Sequence, residues 1–265
     1  MSSVIVIKRN NLRVWGDVIF ALFLREVRVG FNDKLGISWA LIEPIVFIFF
    51  LSYFRSTVAG SGSNTHTLPT FLFMAVGVLY VQSFLKVVQG ASLSIKKNKA
   101  LFAFRQVQPI SAVIAASLFE LIVKVFTVIG VSILMFYMAI ELRVDNPILF
   151  IMCFFSLVIF GTTVGLLFGI AELFIPEVEK IRTLLTRPLF FISGIFFSLQ
   201  DIPKEYWYLL DWNPILHAIE LSRYSLYESY GSHGVNLNYL LFITFTMLFF
   251  SIATYFVSWK QAISR

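Results

Sequence analysis

Charge is scarce in this chain. Of 265 residues, 14% are charged, 58% hydrophobic and 17% aromatic. A soluble domain carries about 25% charged and about 45–50% apolar residues. A departure of this size excludes an ordinary water-soluble enzyme and also a disordered chain. It fits a chain whose solvent is lipid.

Cysteine is almost absent. The single thiol, Cys153, lies in an apolar run, so no intramolecular disulfide forms. His66, His217 and His233 are far apart and lack ligand spacing, so no structural metal is expected. The chain has no G-x-x-x-x-G-K-[ST] phosphate loop, no H-E-x-x-H, no G-x-S-x-G and no convincing pair of catalytic carboxylates. Any nucleotide chemistry must come from another polypeptide. No selectivity-filter sequence and no evident inverted repeat are present. Met1 to Ile7 is too short for the apolar core of a cleavable signal, and none is expected.

Long apolar runs are what the chain has. A membrane-spanning helix needs about 20 mostly apolar residues. Residues 37–54, 68–88, 149–171 and 239–257 qualify, and 110–140 is long enough to span and continue. That run carries Glu120 and Lys124, which are i,i+4 and share a face. The segment 183–199 is short and is interrupted by Arg187 and Pro188.

Sidedness decides how to count it. Basic residues precede the first span and follow the last, which places both ends in the cytoplasm. An even number of crossings follows, so 183–199 crosses as a broken helix and six spans result. With that count, fifteen lysines and arginines fall inside and four outside. Such a bias is the positive-inside rule. It also accounts for the net charge of +6 without invoking nucleic acid. The expected fold is an all-α, multi-pass membrane protein, forming one domain over residues 1–265.

Three segments are not simple spans. At 100° per residue, the 12–29 segment places Leu12, Trp15, Ile19, Leu22 and Phe23 on one face. Arg13, Asp17, Arg25 and Arg28 fall on the other. An amphipathic helix at the cytoplasmic interface is expected there, serving as passive anchor or docking surface. Residues 96–108 mix lysines with Leu101, Phe102 and Phe104, the pattern of a short docking helix or of phenylalanines that dip into the interface. Residues 201–230 are too broken to cross a bilayer and too apolar for an exposed loop. Short re-entrant helices, interrupted at Asn213-Pro214, resolve the conflict. Glu220 and Arg223 are i,i+3 and can pair. The aromatic residues here read either as an interfacial belt or as a sugar-stacking platform.

Glu43-Pro44 lies within the first run. An ionisable residue at that depth is a gating candidate, or a structural one near the cytoplasmic end.

These residues match a known pattern. Ala21 to Glu26, Leu35-Gly36, Trp39-Ala40 and Glu43-Pro44 carry it at the start. Leu101-Phe102, Gln108-Pro109-Ile110, Pro176-Glu177 and Arg187-Pro188-Leu189 continue it. It is densest in Ile202-Pro203-Lys204, Tyr206-Trp207, Trp212-Asn213-Pro214, Glu220-Leu221-Ser222-Arg223 and Val235 to Leu240. The chain resembles the membrane subunit of ABC-2-type polysaccharide exporters, and in particular the KpsM-type permeases of capsule export. The resemblance implies a homodimer in the bacterial inner membrane, served by two copies of an ABC ATPase that binds ATP and Mg. It implies a periplasmic polysaccharide co-polymerase, an outer-membrane export protein and a lipid-linked polysaccharide substrate.

On this reading the chain is not itself an enzyme. Arg25, Glu26, Arg28, Lys97, Lys99, Phe102 and Arg105 are expected to couple to the ATPase. Tyr206, Trp207, Trp212, Glu220 and Arg223 are expected along the substrate pathway. A permease for O-antigen, teichoic acid or another amphiphile is the alternative. A membrane-embedded transferase would need a catalytic cluster that the sequence does not offer.

Overall fold

A computed structural model of the chain describes residues 10–32, 34–59, 68–104 and 106–264. These residues are helical in every regular element, with no strand among them. The eight α-helices are α1 (Asn11–Asn32), α2 (Lys34–Ala59), α3 (Thr70–Lys97), α4 (Pro109–Tyr137), α5 (Pro147–Phe174), α6 (Val178–Ile192), α7 (Pro214–Leu226) and α8 (Leu237–Ser264).

Among the described residues, α3, α4, α5 and α8 are long and apolar enough to cross a membrane. Their starts follow from local chemistry. Pro109, Pro147 and Pro214 each stand in a first turn, where the missing N–H costs nothing. Asn146 caps α5 by accepting the Leu149 N–H at 3.1 Å.

Helices α3 and α5 form the centre and run parallel, side by side. They approach closely because α5 presents Gly161, Gly165 and Gly169 to α3. A Cβ on Gly165 would come within 2.6 Å of the Ala91 Cβ and 2.8 Å of the Val88 carbonyl oxygen. Helices α4 and α2 cover α3, and α8 covers the far side of α5. Of the remaining three, α1 packs on α4 at one end, α7 is wedged among α3, α5 and α8 at the other, and α6 packs on α5 and α3.

The helices run past several expected limits. Helix α3 extends to Lys97, so the 96–108 segment begins inside it. A 3₁₀ helix, Lys99–Ala103, comes directly after it. The larger correction concerns 183–199. Its helix, α6, starts at Val178 and ends at Ile192. It keeps Pro188 but is stopped by Ser193 and by Gly194, whose φ is +79°. The Asn213 side chain makes the stop possible. Its amide donates to the Ile192 carbonyl (3.4 Å) and to Ser193 Oγ (3.1 Å), while its Oδ1 accepts the Ile215 N–H (3.0 Å). One side chain thus closes α6 and opens α7.

Candidate functional site

Two regions collect the residues singled out from sequence, one at each end of the bundle.

At the α1 end, the two expected docking segments are one structure. Leu22 is buried against Ala112 and Ala115 of α4, with Val18, Phe23, Leu101, Phe102 and Val107 around them. Phe102 also touches a second cluster built on Ile95, Val113 and Leu166, so it pins the 3₁₀ turn between α1 and the bundle. Polar contacts join the same parts. Arg25 Nη1 donates to Asn98 Oδ1 at 2.6 Å, and Lys97 Nζ pairs with Glu26 Oε2 at 2.6 Å.

Arg28 and Lys99 remain exposed, as does Phe104. Arg105 lies outside the described residues. The expected amphipathic face is only partly seated. Leu22 is buried, whereas Leu12 is 72% exposed and Trp15 is exposed too; Phe20 and Leu24, on the charged face with Arg13 and Asp17, are also exposed. Exposed Leu12 and Trp15 at the start of the apolar face suit a helix lying in a lipid interface.

Because Lys97 is 42% exposed, its pair with Glu26 is worth under about 1 kcal/mol. Reversing either charge should lower the thermal midpoint in detergent slightly. The double swap, Glu26→Lys with Lys97→Glu, should recover it, and no recovery would mean that the side chains do not meet.

Below this surface lies a pair the sequence reading missed. Arg182 Nε donates to Glu172 Oε1 at 2.7 Å, with both side chains almost wholly buried. It ties the end of α5 to the start of α6 across the turn at Pro176. A lone carboxylate at the end of an apolar run, ten residues before an arginine, was the available signal.

The α7 end contains the denser network. Glu220 and Arg223 do pair, at 2.7 Å, but they are 1% and 0% exposed. Expected along the substrate pathway, both are buried within this chain, on a helix α7 enclosed on nearly every side. Arg223 Nη2 donates to the Phe73 carbonyl (3.0 Å) and the Ile195 carbonyl (3.3 Å). Its guanidinium lies 3.4 Å above the Phe73 ring. Glu220 Oε2 accepts from Ser198 Oγ (2.8 Å) and from the Tyr230 hydroxyl (2.9 Å).

Gly77 makes room for this. A Cβ there would lie 3.0 Å from Arg223 Nη2 and 3.0 Å from the Ile195 Cα. Arg55 also stands over Phe73, 4.5 Å from the ring centre, and donates to the Phe196 carbonyl. The pair therefore clamps α3, α7 and the 193–199 turn together.

The aromatic residues of this end divide. Tyr206 and Trp212 are more than half exposed. Trp207 is tucked in, its indole N–H donating to the Ile202 carbonyl at 2.8 Å. Between them His217 acts as a latch that sequence did not single out. Its Nδ1 accepts the Asn236 N–H at 3.0 Å, and its Nε2 faces the Asp211 carbonyl oxygen at 2.6 Å. Only the neutral Nε2–H form satisfies both. Burial holds the imidazole below its ordinary pKa, in agreement with that form. On the same side Asp145 is held below the usual carboxylate range by the Glu228 N–H and by Arg143.

Glu43 stands on the open side of α2, while Pro44 is buried within that helix. Glu43 lines a hollow of about 330 Å³ with Gln82, Lys86 and Phe190.

Among known proteins, the family described as ABC-2 type transporter matches residues 17–227. The polysialic acid transport protein KpsM of Escherichia coli is 33% identical over 93% of this chain and 95% of its own length. The capsule polysaccharide export inner-membrane protein BexB of Haemophilus influenzae is 26% identical over 84% of this chain and 86% of its own. The protein of the same description from Neisseria meningitidis serogroup A, CtrC, is 22% identical over 92% of this chain and 91% of its own.

Proposed function

The chain belongs to the ABC-2 type transporter family, and from that premise we propose that it is the inner-membrane permease of a capsular polysaccharide exporter. The observation that carries this reading is the near-full-length similarity to KpsM, named for polysialic acid transport, and to BexB and CtrC, named for capsule polysaccharide export.

Six crossings are the topology we favour: α2, α3, α4, α5, α6 and α8. Helix α6 is short, about 22 Å at 1.5 Å per residue. Its segment nonetheless begins beside Glu172 at the α1 end and reaches Ser198 beside Glu220 at the α7 end. That course supports a crossing. With the basic residues at the α1 end inside, both termini are cytoplasmic.

The ATPase seat is the surface joined by Arg25, Glu26, Lys97 and Phe102, with Arg28 and Lys99 free to meet a partner. ATP and Mg belong to that partner. A force applied to α1 would reach α4 through Leu22 and the bundle through Phe102.

A second copy would cover the open face of α2, where Trp39, Val46, Phe49, Phe50 and Tyr53 are each at least half exposed. Tyr206 and Trp212 remain the residues placed to meet the polymer on the outer side. Trp207, Glu220 and Arg223 hold that region in shape. A periplasmic co-polymerase, an outer-membrane export protein and a lipid anchor on the polymer complete the proposal.

The test is a deletion in the native host. Loss of surface capsule with intact O-antigen is the expected result. Loss of O-antigen with intact capsule would overturn it in favour of the other ABC-2 permease.

A further inference from the structure

The most enclosed of the long helices leaves one open face, and that face is mostly polar. Between Val81 and Lys97 of α3, the residues that are not buried all fall within an arc of about 140° at 100° per residue. Five of its members are polar, Gln82, Lys86, Gln89, Lys96 and Lys97, beside Leu85, Gly90 and Leu93. Other helices expose a different chemistry: Phe126 and Ile133 on α4, Phe155 on α5, Phe245 and Phe249 on α8. Those faces suit lipid. A row of amides and amines does not, because acyl chains offer no hydrogen bonds.

Lys86 stands where two hollows meet. The first, about 360 Å³, lies among α1, α3 and α4 and is lined by Glu26, Gln89, Lys97 and Glu120 beside it. The second is the hollow that holds Glu43 and Gln82. Gly90 keeps the first one open to Glu120. A Cβ on Gly90 would come within 3.3 Å of the Glu120 Cγ.

Depth makes Lys86 costly. Eleven residues separate it from Lys97, which is about 16 Å along a helix. That is about half of a 30 Å hydrocarbon core. Its four-carbon stem cannot snorkel over such a distance. Among the described residues, no carboxylate forms an ion pair with it within 4.0 Å. A cation so placed requires water or a ligand.

The hollows carry charges of both signs. Lys86 and Lys97 stand among Glu26, Glu43 and Glu120. A wall that carries charges of both signs and a few hydrogen-bonding groups among apolar ones neither traps nor repels a hydrated chain that must enter and leave.

We propose that the polar face of α3, centred on Lys86, walls a water-filled path for a hydroxyl-rich polymer through the cytoplasmic half of the bilayer. The inference rests on the export reading above. The glutamine amides donate to and accept from sugar hydroxyls, and Lys86 donates to hydroxyls or acidic groups as they pass.

Water access tests the wall without any polymer moving, so its failure is separable from failure of the export reading. Gln82→Cys and Gln89→Cys are compared with Phe126→Cys and Phe245→Cys, in membranes from cells expressing the whole export system. Cys153, fully buried, is replaced by serine as background. A small charged methanethiosulfonate should modify positions 82 and 89 at least tenfold faster than 126 and 245. Equal rates would overturn the wet wall, whether lipid or a dry second copy covers it. Lys86→Met should then reduce surface polymer at least tenfold at equal protein level, and Lys86→Arg should retain most of it. Full export by Lys86→Met would overturn the contact with the polymer.

Discussion

Arg223→Met should lose about 3–5 kcal/mol of stability, the usual cost of stripping one partner from a buried ion pair. The loss has identifiable parts. Glu220 would be left at 1% exposure with only the Ser198 and Tyr230 hydroxyls as partners. The carbonyls of Phe73 and Ile195 would lose their guanidinium donor, and Phe73 would lose the cation 3.4 Å above its ring. The double variant Glu220→Gln with Arg223→Met should be less damaged than Arg223→Met alone, because no uncompensated charge remains. Removing one hydroxyl, by Ser198→Ala or Tyr230→Phe, should cost about 1 kcal/mol each. Thermal unfolding of the detergent-solubilised protein reads all four. An Arg223→Met midpoint equal to the parent's would mean that the clamp does not hold α7.

The same clamp shows what sequence could and could not supply. Glu220 and Arg223 stand three apart, and their pairing follows from helical geometry. Their burial does not. It depends on Phe73, 150 residues earlier in the chain, and on the absence of a side chain at Gly77. No local pattern relates those positions, so a charged pair beside exposed aromatics read as a substrate contact. The long spans were legible because burial in lipid imposes one chemistry over about 20 consecutive residues. The end of α6 was not, since it rests on Gly194 in a left-handed conformation and on an amide brought back from Asn213. The two docking segments were legible one by one from their mixed charge and apolar content. That they form a single surface is a fact of tertiary contact, through Leu22, Phe102 and the Glu26–Lys97 pair. Gly161, Gly165 and Gly169 repeat every four residues, a pattern that sequence displays plainly. Which helix the stripe meets is known only from the packing.

That stripe yields the second large effect. Gly165→Ala should destabilise the protein by about 1–3 kcal/mol, the range for forcing a methyl into a packed interior. The neighbours cannot yield cheaply. The new Cβ would sit 2.6 Å from the Ala91 Cβ and 2.8 Å from the Val88 carbonyl oxygen, both fixed to the α3 backbone. Relief requires moving α5 away from α3, and that opens the contact along its whole length. Gly161→Ala should cost less. Its nearest atoms, at 3.2 and 3.3 Å, belong to the Val87 and Phe84 side chains, which can shift. Gly16→Ala should act in the opposite direction. Nothing lies within 4 Å of a Cβ there, so α1 gains about 1 kcal/mol of helix propensity at no steric cost. The order of thermal midpoints is therefore Gly16→Ala highest, then the parent, then Gly161→Ala, then Gly165→Ala. A Gly165→Ala midpoint at or above that of Gly161→Ala would mean that α3 and α5 do not meet along the glycines. The two central helices would then have to be held together by the side chains around them.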